Sequence, residues 1–240
     1  MNIMVYGILH RHSMSQSKNA MDIKAVVFDM DGVLIDTEKY LTTFWCQAAN
    51  EAGFPMTMEH ALEIRSLSGP FASKKLKSIF GDSFDYEKIR SRRKELMNTH
   101  LKEKGIEIKP YVKECICELR DVGYRLAVAT STDSIRTEKY LREISIFEYF
   151  NNIICANMVS NGKPEPDIYI YTCNKLGLDP SQCVAIEDSP NGVESAYRSG
   201  MNVIMIPDLA PADEHTKKML NFSIKSMAEL PETIKQLQLL

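Results

Sequence analysis

Residues 24–37 read KAVVFDMDGVLIDT, and this stretch decides the fold. Its opening, residues 24–30, is a short apolar, β-branched run that stops at Asp31-Gly32. That is the pattern of a buried strand ending in a sharp turn. Residues 126–129, 152–155, 183–186 and 203–206 repeat it. Helical periodicity fills the intervals at 111–121, 134–144, 165–176 and 192–199. Strands alternating with helices predict a parallel sheet covered on both faces. Right-handed crossovers bring the C-terminal end of every strand to one edge, where such sheets bind ligands.

One interval interrupts the alternation. Between Thr37 and Gly105 there is no convincing strand, whereas Leu41, Phe44, Trp45, Ala48, Ala49 and Ala52 recur at helical spacing. Further helices are predicted at 57–64, 70–79 and 85–104. The expected architecture is therefore α/β, a Rossmann-like parallel-sheet core (residues 22–36 and 108–240) with an inserted all-helical cap (37–107). Residues 1–21 are expected to be a disordered N-terminal extension. Its short apolar piece precedes its basic residues, the reverse of a secretory signal. His10 and His12 within it read as solvated.

Polar clusters close four of the strands. Asp29 and Asp31 end the first, and two adjacent buried carboxylates need a cation or a proton to offset their repulsion. Gly32 then allows a turn with no side chain over the site; alone, Asp31-Gly32 reads equally as a simple turn. Thr130 and Ser131 end the second strand just before a helix, where hydroxyls and free N–H groups cradle phosphate and also serve as a cap. Lys163 opens a proline-stiffened Lys-Pro-Glu-Pro segment and is a point charge suited to a phosphoryl oxygen. Glu187 and Asp188 offer the hard oxygens that Mg²⁺ prefers. Brought to one edge, these groups make a carboxylate nucleophile, a cation site and a phosphate clamp.

The bulk composition sets limits. The chain has 240 residues, 44% of them hydrophobic, with 29 basic and 32 acidic residues and a net charge of -3. No positive field argues for nucleic acid or an anionic membrane, and no apolar run reaches membrane-spanning length. Six cysteines without C-x-x-C spacing read as reduced thiols, so a cytoplasmic setting is expected. Trp45 reads as core rather than as a substrate platform, and Lys74, Lys75 and Lys77 as a solvated helix face.

Four segments in order resemble the haloacid dehalogenase superfamily: Asp29 to Thr37, Ala129-Thr130-Ser131, Gly162-Lys163-Pro164 and Ile186-Glu187-Asp188-Ser189. The likeness runs from about Ile23 to the C-terminus, nearest to the β-phosphoglucomutase and sugar-phosphatase branch. It implies Asp29 as nucleophile and Asp31 as general acid and base. Thr130, Ser131 and Lys163 would bind the phosphoryl group. Mg²⁺ would be held by Asp29, Asp188, Glu187 and the backbone carbonyl of Asp31. Arg65 and Ser68 would face the substrate from the cap, although Arg65 otherwise reads as a surface arginine. The expected activity is a Mg²⁺-dependent phosphatase, a monomer acting on a small phosphorylated metabolite.

Three rivals are considered. A phosphohexomutase would carry, in that branch, a histidine where Leu41 stands and a distal-phosphate arginine where Gly69 stands. A phosphonate hydrolase would need a Schiff-base lysine, and Lys39 lies in the right region. A receiver-like phospho-acceptor module would explain Asp29 but not a long helical insertion after the first strand.

Overall fold

The computed structural model describes residues 21–240. The expected N-terminal extension, with His10 and His12, lies outside the described residues but for Met21. Six parallel strands form the sheet: β1 (Ala25–Phe28), β2 (Arg125–Thr130), β3 (Asn152–Cys155), β4 (Cys183–Glu187), β5 (Asn202–Met205) and β6 (Phe222–Ser223). Their order is β3-β2-β1-β4-β5-β6, with β1 at the centre between β2 and β4. The α/β expectation and its five strands hold. The two-residue β6 is too short to register as a pattern. Strand β1 ends at Phe28, sooner than the apolar run suggested, so period-two alternation does not carry through to Asp31.

All four β1 residues are buried, as a strand covered on both faces requires. Val26 and Phe28, with Leu126, Val128, Val184 and Ile186, pack under α5 (Val112–Val122) and α10 (Leu230–Gln238). Ala25 and Val27, with Ala127, Ala129 and Ala185, meet α7 (Asp167–Leu176) and α8 (Pro190–Arg198). Small residues on that second face leave room for Tyr169 of α7, which is fully buried. Each large apolar side chain so buried contributes about 1.5–3 kcal/mol. Helix α6 (Ser134–Glu143) follows β2, capped by the Asp133 carboxylate on the N–H of Arg136.

Between β1 and β2 lie four helices: α1 (Glu38–Glu51), α2 (Met58–Glu63), α3 (Gly69–Phe80) and α4 (Tyr86–Lys104). They bury an apolar cluster of their own, including Ala48, Ala49, Leu76, Phe84 and Ile89. The helical cap is thus a packed unit with its own core, inserted after the first strand. A short α9 (Glu214–Lys217) completes the chain's helices among the described residues. No described helix is long and apolar enough to cross a membrane.

Candidate active site

The sheet geometry converges on the end of β1. The N–H of Asp29 donates to the Ile186 carbonyl at 2.9 Å, extending the β1–β4 ladder by one residue and fixing Asp29 beside Glu187. Lys163, fully buried, inserts between them. Its Nζ donates to Asp29 Oδ1 at 2.9 Å, Glu187 Oε1 at 2.6 Å and the Ala129 carbonyl at 3.1 Å. An ammonium has three donors, and all three are used. The Tyr169 hydroxyl donates to Glu187 Oε1 at 2.6 Å, so packing on the alanine-rich sheet face also steadies the site.

Two glycines make this crowding possible. Gly32 has φ +85°, and a Cβ there would lie 2.3 Å from Asp188 Oδ2. A Cβ on Gly192 would lie 2.1 Å from Glu187 Oε2, so α8 can start against that carboxylate only without a side chain.

Charge in this pocket does not balance. Carboxylate oxygens of Asp29, Glu187 and Asp188 lie within 4.8 Å of one another, all buried. Lys163 is the ammonium among them. Both carboxylate oxygens of Asp188 are buried without a hydrogen-bond partner among the described residues. Burial pushes the Asp29 carboxyl up to about 7, against the pull of Lys163 and with the push of Glu187. It likewise raises Asp188 well above the carboxylate range, Arg65 opposing. Burial works against the charge on Lys163, yet Asp29 and Glu187 outweigh it and hold the ammonium above its ordinary value. Surplus buried negative charge and bare carboxylate oxygens fit a hard divalent cation.

Asp31 stands apart from that trio. Its two oxygens accept from the hydroxyls of Thr37 and Thr132, the latter at 2.8 Å. Asp29, Asp31 and Thr130 line a cleft between the sheet edge and the cap.

The remaining expected residues separate. Thr130 is buried and its hydroxyl accepts from the Thr132 N–H at 3.1 Å. Ser131 donates its hydroxyl to the Ser66 carbonyl at 2.9 Å, tying core to cap. Ser68 lies on the same seam: its N–H donates to the Lys163 carbonyl at 3.0 Å, and Gly162 must lack a side chain to let it approach. Arg65 is no surface arginine. It is buried, its Nη2 donates to the Asp188 carbonyl at 2.9 Å, and Nη1 stands 3.8 Å from Asp188 Oδ2. Lys39 is paired with Asp36 at 2.5 Å and Glu107 at 2.6 Å, which hold it protonated and unsuited to Schiff-base chemistry. Lys74, Lys75 and Lys77 are exposed, as expected.

Some residues of the cleft escaped the sequence reading. Glu38 is buried, with its carboxyl pushed up to about 8 by burial and then by Asp31. In sequence it looks like an ordinary acid in the first turn of a helix. Arg90, Arg93 and Lys94 of α4 also line the cleft, joined by Arg136 of α6. Their i, i+3, i+4 spacing was a legible signal of one basic helix face. Trp45 packs against the cap core, as expected, and its half-buried ring also forms part of the cleft wall, stacked on Tyr86 at 5.5 Å.

Comparison with known proteins identifies the family and the fold. Residues 26–206 match the family model described as haloacid dehalogenase-like hydrolase. The phosphorylated carbohydrates phosphatase of Thermotoga maritima is 31% identical over 188 residues, 76% of this chain and 84% of that protein. β-Phosphoglucomutase of Bacillus subtilis is 27% identical over 187 residues, 75% of this chain and 81% of that protein. Among solved structures, CbbY from Rhodobacter sphaeroides in complex with xylulose-(1,5)bisphosphate superposes with a TM-score of 0.72 at 26% identity. The match covers 87% of this chain and 96% of that one.

Proposed function

The chain belongs to the haloacid dehalogenase-like hydrolase family, and from that premise we propose that it is a Mg²⁺-dependent phosphatase. Its substrate is a small phosphomonoester, a sugar phosphate by class, and the reaction passes through an aspartyl-phosphate on Asp29. The observation that carries this reading is the Lys163 bridge. A fully buried ammonium holds one oxygen of Asp29 while Asp29 itself lines the cleft.

In this account an Asp29 oxygen attacks phosphorus and the ester oxygen leaves. Asp31, held by Thr37 and Thr132, gives that oxygen its proton. Asp31 then takes a proton from water as the water attacks the acyl-phosphate, which frees inorganic phosphate and restores Asp29. Splitting one displacement into two is what a carboxylate nucleophile achieves. Lys163 offsets charge on the phosphoryl oxygens. Thr130 and Ser131 hold the same group, Ser131 through its backbone because its hydroxyl is engaged with Ser66. Asp29, Asp188, Glu187 and the Asp31 carbonyl would hold Mg²⁺. When bound, the ion supplies positive charge to the phosphoryl group.

Hydrolysis is favoured over a mutase by the cleft wall. Leu41 lines it and brings no acid–base group at the position where the mutase branch carries a histidine. A receiver-like module is disfavoured because a cap with its own core walls the cleft at Asp29.

A phosphate-release screen over sugar, polyol and nucleoside monophosphates, with Mg²⁺ and then with excess EDTA, tests the reading. Expected is Mg²⁺-dependent release of phosphate from at least one sugar phosphate. Full activity in EDTA would remove the metal from the account. Rapid isomerisation of β-glucose 1-phosphate with negligible phosphate release would replace the phosphatase with a mutase.

A further inference from the structure

The cleft wall carries a second group of cations, on elements other than the loop that supplies Lys163. Arg90, Arg93 and Lys94 sit on one face of α4, and Arg136 reaches in from α6 of the core. Arg93 is only 9% exposed. It has no salt bridge among the described residues, and its Nε has no hydrogen-bond partner. Lys94 likewise has no ion partner among them. The other two have loose acidic neighbours one helical turn away: Arg90 with Glu87 at 3.7 Å, and Arg136 with Asp133 at 3.9 Å.

A buried guanidinium without a carboxylate is costly to keep, and such charges are normally paired. This one is held in place by the Trp45 ring instead. Its Cζ lies 5.3 Å from the Trp45 ring centre, and Arg90 lies 6.0 Å from that of Tyr86, on which Trp45 stacks. Rings fix a guanidinium without using its N–H donors. The cations also repel one another. Burial, then Arg136 and Arg90, push Arg93 down to about 10; burial, then Arg90, Arg136 and Arg93, lower Lys94. Four like charges gathered in a cleft, with their donors unspent, are preorganised for an anion.

We propose that Arg93, with Arg90, Lys94 and Arg136, forms a second anion subsite that binds a phosphate or carboxylate at the far end of the substrate from the phosphoryl group attacked by Asp29. The substrate is then a doubly anionic metabolite: a sugar bisphosphate or a phosphorylated acid. Both ends would lie in one cleft, since the same cavity is lined by Asp29 and by all four cations. This inference rests on the phosphatase reading for its catalytic end, but the subsite itself can be read without turnover.

The test compares substrates that differ at the far end. Wild type, Arg93→Met and Arg136→Gln are assayed with fructose bisphosphate, with phosphoglycerate and with p-nitrophenyl phosphate, which has no second anion. The expected result is that the ratio of kcat/KM for a doubly anionic substrate to that for p-nitrophenyl phosphate falls about thirtyfold or more in each variant, mainly through KM. A fall confined to fructose bisphosphate identifies a phosphate subsite, and one confined to phosphoglycerate a carboxylate subsite. Ratios within about threefold of wild type for both substrates overturn the proposal. In parallel, calorimetry in an Asp29→Asn background measures binding of the same two anions, expected to weaken about tenfold or more when Arg93→Met or Arg136→Gln is added. If no phosphomonoester is turned over but this weakening is seen, the phosphatase reading fails and the subsite stands. Unchanged affinity alongside normal turnover of p-nitrophenyl phosphate sinks the subsite alone. Arg136, half-buried on a core helix, keeps the test open should Arg93→Met fail to fold.

Discussion

Lys163 and Arg93 are both buried cations, one beneath the cleft behind Asp29 and the other in its cap wall, and their surroundings are opposite. Lys163 spends all three donors, two of them on carboxylates. Arg93 lies over the Trp45 ring among like charges, with no salt bridge among the described residues and only the more distant Asp31 pulling against the push of Arg136 and Arg90. The neighbours of Lys163 hold it charged, whereas burial and like charges push Arg93 down. A paired buried charge is part of the fold as well as of the chemistry. An unpaired one is a cost to the fold that the Trp45 ring offsets in part and an anionic ligand would offset further.

Removing each cation in turn should separate the two environments most strongly. Lys163→Met leaves Asp29 and Glu187 buried without their counter-charge, which costs about 3–5 kcal/mol. For a chain of this size that lowers Tm by roughly 6–20 °C. Arg93→Met removes a charge that has no partner and relieves repulsion, so Tm should hold or rise slightly. Equal losses, read by thermal melting, would show that both cations are structural.

A smaller effect separates the walls by metal. Mg²⁺ at about a hundred times its Kd should stabilise the fold by about 2.7 kcal/mol. Asp188→Asn should abolish most of that rise in Tm, because its two bare oxygens are the free ligands of the floor. Arg93→Met should keep it. A Mg²⁺ response that survives Asp188→Asn would move the ion elsewhere.

The glycines give the finest contrast. Gly192→Ala drives a Cβ into the Glu187 carboxylate, and overpacking of this kind costs about 1–3 kcal/mol. Gly69→Ala, on the cap wall, meets nothing nearer than the Tyr86 hydroxyl at 3.8 Å and should stay within about 0.5 kcal/mol of wild type. Denaturant melts distinguish the two. Comparable midpoints would mean that the floor is looser than its distances suggest.

Most of the floor could be read from the chain. Strands β1, β2 and β4 are continuous apolar runs, and the groups at their ends stand next to them in sequence, so topology alone brings Asp29, Thr130 and Glu187 together. Lys163 was legible through the prolines that follow it. The cap wall was less so. Trp45 and Arg93 belong to helices that are far apart in sequence, and only their packing shows that the ring steadies the guanidinium. Glu38 hid behind the ordinary preference for acids at a helix start. Arg65 was masked by the general rule that arginines are exposed, a rule that fails when a carbonyl and a carboxylate wait in the interior. The two-residue β6 carries too few side chains to show any period.

One substitution tests directly whether Asp29 is the nucleophile. Asp29→Asn exchanges an attacking oxygen for an amide of nearly the same shape. Phosphate release is to be measured with the best sugar phosphate from the screen at saturating Mg²⁺, alongside a thermal melt of the same sample. The account predicts a folded protein with activity below about a hundredth of wild type, a loss beyond roughly 3 kcal/mol in the barrier. A folded Asp29→Asn protein that retains more than that would contradict it.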